Sequence, residues 1–139
     1  MDTVVASWGC PATLHIQLSS DAEAARQARQ TVTGLPARAT ASCPGAVVDD
    51  LVLIVSELVT NAVVHAQGPY ALIVSLEAGR AGIAVSDGSA DLPEHQARTG
   101  GGRQVASGGR GLEIVQALGA DLFVSRSAGG KQVIAVLTW

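Results

Sequence analysis

The chain has 139 residues, 47% of them apolar and 15% charged, with a formal net charge of −3. That length fits one domain around one core, and the apolar content excludes a disordered chain. With no block of Lys or Arg, the charge argues against direct nucleic-acid binding, which needs clustered cations.

Thr13 to Leu18, TLHIQL, alternate apolar and polar residues and predict a strand. Ser19, Ser20 and Asp21 then offer helix N-caps before AEAARQARQTVTGL, an amphipathic helix ending near Gly34 and Pro36. A loop containing Ser42, Pro44 and Gly45 leads into a long, nearly buried helix over Ala46 to Ala66, which Gly68-Pro69 stops. Two strands follow, YALIVSLEA and AGIAVSD, joined as an antiparallel hairpin by a turn at Gly79-Arg80. Gly88 to Gly109 has no periodicity. A stretch of that length inside a compact domain is expected to be functional, and 88–108 is read as a lid over a site. Helical patterning resumes after Arg110 in GLEIVQALG, with Gly119 as C-cap. Strands ADLFVSRS and KQVIAVLTW close the chain around a turn at Gly129-Gly130. This order predicts an α+β two-layer sandwich, a mostly antiparallel sheet covered on one face by helices.

No uninterrupted apolar run approaches the roughly 20 residues that span a bilayer, and MDTVVASWGC lacks the features of a signal peptide. The expectation is a cytoplasmic protein with one domain over 1–139, its first 12 residues forming an N-terminal extension. Cys10 and Cys43 have no second Cys or His at ligand spacing, and they read as small reduced side chains.

Three pieces of sequence carry chemistry. In SELVTNAVVHA, Glu57, Asn61 and His65 recur every fourth residue and so share one helix face. Glu can accept a proton, and Asn can offer a neutral oxygen to Mg2+. Alone, such a ribbon is more often just a solvated stripe. Val85-Ser86-Asp87-Gly88 ends a strand on a carboxylate that can accept from an exocyclic amine, with a glycine that admits a ligand to the backbone. Alone, it is an ordinary Asp-Gly turn. Ser107-Gly108-Gly109-Arg110-Gly111-Leu112 places glycines at a helix start, where exposed N–H groups and the helix dipole favour an anion. Alone, it is as readily a flexible linker with a cap.

Taken in order, ExxxN on a helix, DG after a strand and GxGL opening another helix resemble the GHKL superfamily of ATP-binding domains. DNA gyrase, MutL and the sensor histidine kinases share that Bergerat fold. SELVTNAVVHA and GGRGLEIVQALGADLFVS look most like the small anti-sigma-factor serine kinases of Gram-positive bacteria, especially actinobacteria. The resemblance runs from Thr13 to Trp139.

The resemblance implies ATP and Mg2+ as ligands. Asn61 would hold the Mg2+ that bridges the triphosphate, and Glu57 would be the base that activates the attacking hydroxyl. Asp87 would bind the adenine amine, with Gly88 beside the base. Gly109 and Gly111 would let the lid and helix start approach the phosphates, with Arg110 and Leu112 in the same nucleotide-binding segment. His65 matches the usual HA ending of this helix and is assigned a structural role.

The implied partners are a sigma factor, an anti-anti-sigma (STAS) protein, or both. Homodimers are common in the family, though no residue pattern here demands one. The chain also departs from the family pattern. Asp87-Gly88-Ser89-Ala90-Asp91 lacks the second glycine of the adenine motif. Ser107 and Gly108 stand where an arginine can reach the terminal phosphate, leaving Arg103 or Arg110 as substitutes. Gln132 stands where a threonine often helps to hold adenine. Four readings follow: a protein serine kinase, a non-catalytic ATP-binding module that sequesters a partner, a detached histidine-kinase catalytic domain, and a fold that has lost nucleotide binding. The third ranks lowest, because no dimerising helical segment with a phospho-acceptor histidine is present.

Overall fold

In the computed structural model, residues 12–35, 43–88, 111–127 and 129–139 are described. The alternating stretches are strands: β1 (Ala12–Leu18), β2 (Tyr70–Glu77), β3 (Arg80–Asp87), β4 (Asp121–Ser127) and β5 (Gly130–Thr138). The helices are α1 (Glu23–Gly34), α2 (Gly45–His65) and α3 (Gly111–Ala117). Each element falls within a residue or two of its sequence expectation.

The five strands form one sheet in the order β1-β2-β3-β5-β4, with every neighbouring pair antiparallel. Each strand buries alternate side chains on a single face, as in Leu72, Val74 and Leu76 of β2 and Ile83 and Val85 of β3. Against that face α2 packs Leu51, Ile54, Val55, Leu58, Val59 and Ala62, the stripe a 3.6-residue period brings to one side. α1 adds Ala24, Ala28 and Val32, and α3 adds Leu112 and Val115. This is the expected two-layer α+β sandwich with an aliphatic core.

Three local details differ from the sequence reading. The β2–β3 turn is Ala78-Gly79, with φ +76° at Gly79, and Arg80 is already paired with Glu77. The N-cap position of α1 is Ala22, while the Asp21 carboxylate accepts from the Glu23 amide at 2.9 Å and does the capping from one residue earlier. The long helix is not nearly buried. Leu53, Thr60 and Val64 are exposed, and Val64 keeps 66% of its surface in solvent. α2 is therefore a one-sided helix whose outer face happens to be rich in aliphatic residues. Cys43 is a free thiol packed at the core edge, and burial pushes its pKa up.

Candidate nucleotide site

The C-terminal end of α2 and the C-terminal end of β3 meet at one corner of the sandwich, where two hydrogen bonds hold them. The Tyr70 hydroxyl donates to the Ala66 carbonyl at 2.7 Å, tying the end of α2 to the start of β2. The Gly88 amide donates to the Gln67 carbonyl at 2.7 Å, tying the end of β3 to the same connection. At Gly88 any Cβ would lie 2.5 Å from the Gly68 carbonyl oxygen, so only glycine lets the two segments close this tightly. These bonds fix where Asp87 stands relative to the last turns of α2.

Between these ends lies a crevice lined by Leu58, Asn61, Ala62 and His65 of α2, Val85 and Asp87 of β3, and Lys131 and Val133 of β5. Asn61 and His65 of the helical ribbon thus share one cleft with Asp87. Asn61 is half-buried and His65 exposed, so carboxamide and imidazole stand toward the mouth while Asp87 forms the floor. Glu57 is not in that lining. It is half-buried one helical turn earlier, about 6 Å along the axis from Asn61. Gly88 follows Asp87 in the chain and is half-buried, but is not part of that lining.

Gly111 opens α3, and Leu112 is fully buried in the core. A ligand could therefore reach Leu112 only through its backbone. Gly109, Arg110, Arg103 and the lid segment from 89 onward lie outside the described residues. Among the described residues no group of three His, Cys, Asp or Glu side chains could hold a metal ion. Asn61 is thus a single neutral oxygen donor. That suits an Mg2+ that keeps most of its waters and arrives with phosphates, and does not suit a free ion.

Lys131 was not among the residues the motifs singled out. Its Nζ lies 2.9 Å from Asp87 Oδ2, and the two side chains are 5% and 2% exposed. Two further ion pairs, Arg26–Glu23 within α1 and Arg80–Glu77 across the β2–β3 turn, are exposed, three residues apart in sequence, and contribute little. The Asp87–Lys131 pair arises from register. Asp87 and Lys131 are direct partners in the β3–β5 ladder, and Lys131 has the same parity as buried Val133, Ala135 and Leu137. Gly130 makes the approach possible. Its φ is +155°, and a Cβ there would overlap the Asp87 carbonyl oxygen. The parity of KQVIAVL was legible as a signal that Lys131 points inward. Its partner was not legible, because a β3–β5 pairing joins residues far apart in the chain.

A family model described as histidine kinase-like ATPase domain matches residues 18–137. Among solved structures, the RsbU and RsbW domains of Rv1364c from Mycobacterium tuberculosis match with TM-score 0.62 and 23% identity, over 91% of this chain and 31% of that one. The histidine kinase domain of the blue-light activated histidine kinase EL346 from Erythrobacter litoralis matches with TM-score 0.52 and 23% identity, over 82% of this chain and 58% of that one. At that identity both likenesses concern the fold, and the chain spans under two thirds of either structure. Among curated proteins none matches the sequence.

Proposed function

Because the chain belongs to the histidine kinase-like ATPase domain family, we propose that it is an ATP- and Mg2+-binding regulatory protein acting on a partner protein in the cytoplasm. Asp87 accepts a hydrogen bond from the 6-amino group of adenine, a charge-assisted contact made stronger by its buried setting. Gly88, with no side chain, leaves the backbone open to the base. Asn61 offers its carboxamide oxygen to Mg2+, which supplies charge neutralisation at the phosphate oxygens when bound. The segment Gly109-Arg110-Gly111-Leu112 contributes backbone N–H groups toward the phosphates. The observation that carries this reading is the convergence of Asn61 from α2 and Asp87 from β3 on one crevice.

Calorimetric titration with Mg-ATP and Mg-ADP tests it. Saturable one-to-one binding is expected, and absence of heat with both nucleotides would overturn it.

Two modes of action on the partner are consistent with the site. In the first, Glu57 accepts the proton of a Ser or Thr hydroxyl on an anti-anti-sigma (STAS) protein as the γ-phosphoryl group passes to that oxygen and ADP leaves. Its place on the Asn61 ribbon supports this mode. In the second, the nucleotide-loaded protein sequesters a sigma factor or similar partner without transfer. The position of Glu57 outside the crevice lining and the Ser107-Gly108 pair in place of an arginine support that mode. The mycobacterial neighbour, an RsbW domain accompanied by an RsbU domain, supports a role exercised through another protein.

Incubation with labelled Mg-ATP and a candidate STAS protein separates the two. Transfer abolished by Glu57→Ala identifies the kinase. ATP retention without transfer, with a stable complex in pull-downs, identifies the sequestering module.

A further inference from the structure

Lys131 is the one lysine in the whole sequence, and it is spent on a buried contact. Lysine is almost never fully buried unless paired, and here its partner is the carboxylate assigned to the base. To read an exocyclic amine, Asp87 must present an oxygen to an incoming N–H donor. Lys131 already donates to Oδ2 at 2.9 Å, and at 2% exposure the carboxylate presents neither oxygen to an entrant while that contact persists.

Space leads to the same conclusion. The crevice beside the pair has a free volume of about 10 Å3, room for a single water and far short of a purine. A lysine has a flexible four-carbon stem, so its ammonium can leave Asp87 for the solvent-facing mouth of the crevice on the same face of the sheet while β5 stays in register.

We propose that Lys131 is a built-in competitor for the base-binding carboxylate: it occupies Asp87 in the free protein and must withdraw from it before a purine can enter. The inference rests on the assignment of Asp87 to the base. Lys131 then sets how much of the protein is competent to bind, and apparent affinity falls by that competent fraction. If the pair is closed in about 99% of molecules, the apparent dissociation constant is about 100-fold above that of the open pocket.

The test compares Mg-ATP binding by the wild-type chain and by Lys131→Thr, a strand-compatible residue too short to reach into the crevice. At least tenfold tighter binding by the variant is expected. Equal or weaker binding by the variant would overturn the proposal while leaving the nucleotide reading intact. No binding by either protein would overturn both.

Should the variant fail to fold, the wild-type protein decides alone, because an amine-reactive ester can modify only Lys131 and the N-terminus, and peptide mass spectrometry separates the two. Saturating Mg-ATP is expected to raise the Lys131 modification rate several-fold. A lysine that merely lines an occupied pocket would be protected instead, and a lower or unchanged rate would refute the competitor.

Discussion

Asp87 and Lys131 illustrate how one residue's neighbour can change its chemistry. An exposed Asp-Gly at a strand end is a turn. The same carboxylate, buried opposite a lysine, is a charge whose partner cannot be removed without penalty. Breaking a buried ion pair by deleting one member costs about 3–5 kcal/mol, because the remaining charge stays desolvated. Lys131→Met, which keeps length and loses charge, should therefore lower unfolding stability by about 3 kcal/mol in a urea titration. An unchanged midpoint would mean that Asp87 finds compensation elsewhere. Lower stability together with tighter nucleotide binding would be the signature of a side chain that serves the empty fold at the expense of the ligand.

At the scale of elements, α2 carries the core on one side and the site at one end. The ribbon of Glu57, Asn61 and His65 runs along the border of its buried stripe, which is why spacing alone could place Asn61 beside a cleft. Spacing could not say which residues of the ribbon reach the cleft: its lining extends back to Leu58, but the neighbouring Glu57 is not part of it. Composition also misled about burial, since aliphatic residues occupy the outer face as well. Two substitutions check the assigned faces by thermal or urea melting. Leu58→Ala, at a fully buried position, should cost about 2–5 kcal/mol. Val64→Gln, on the solvent side, should stay within about 0.5 kcal/mol of the parent. Similar losses from both would show that α2 is covered on two sides.

For the whole molecule, periodicity and turn residues made the order of strands and helices legible, because antiparallel strands buried on one face must alternate. The short motifs that carry Asn61 and Asp87 were legible, and the structure brings those two residues to one crevice. The strand order beyond the first hairpin was not legible, because β5 inserts between β3 and β4, and that pairing depends on long-range register. Lys131 was missed for that reason. The proposed sharing of Mg2+ between Asn61 and the nucleotide has a global consequence. Mg2+ alone should leave the melting temperature unchanged, because one carboxamide is a poor site for a hydrated ion. Mg-ATP at 100 times its dissociation constant should add about 2.7 kcal/mol of stability. Stabilisation by Mg2+ alone would point to a metal site of different composition.

The most direct measurement is the equilibrium affinity for Mg-ATP of the wild-type protein and of Asp87→Asn, with circular dichroism confirming that both are folded. The expected result is one-to-one binding by the wild type and at least tenfold weaker binding by the variant, since a neutral carboxamide is the poorer acceptor for the adenine amine. Equal affinity in the two proteins would contradict the assignment of Asp87, and no binding by the wild type would contradict the nucleotide site itself.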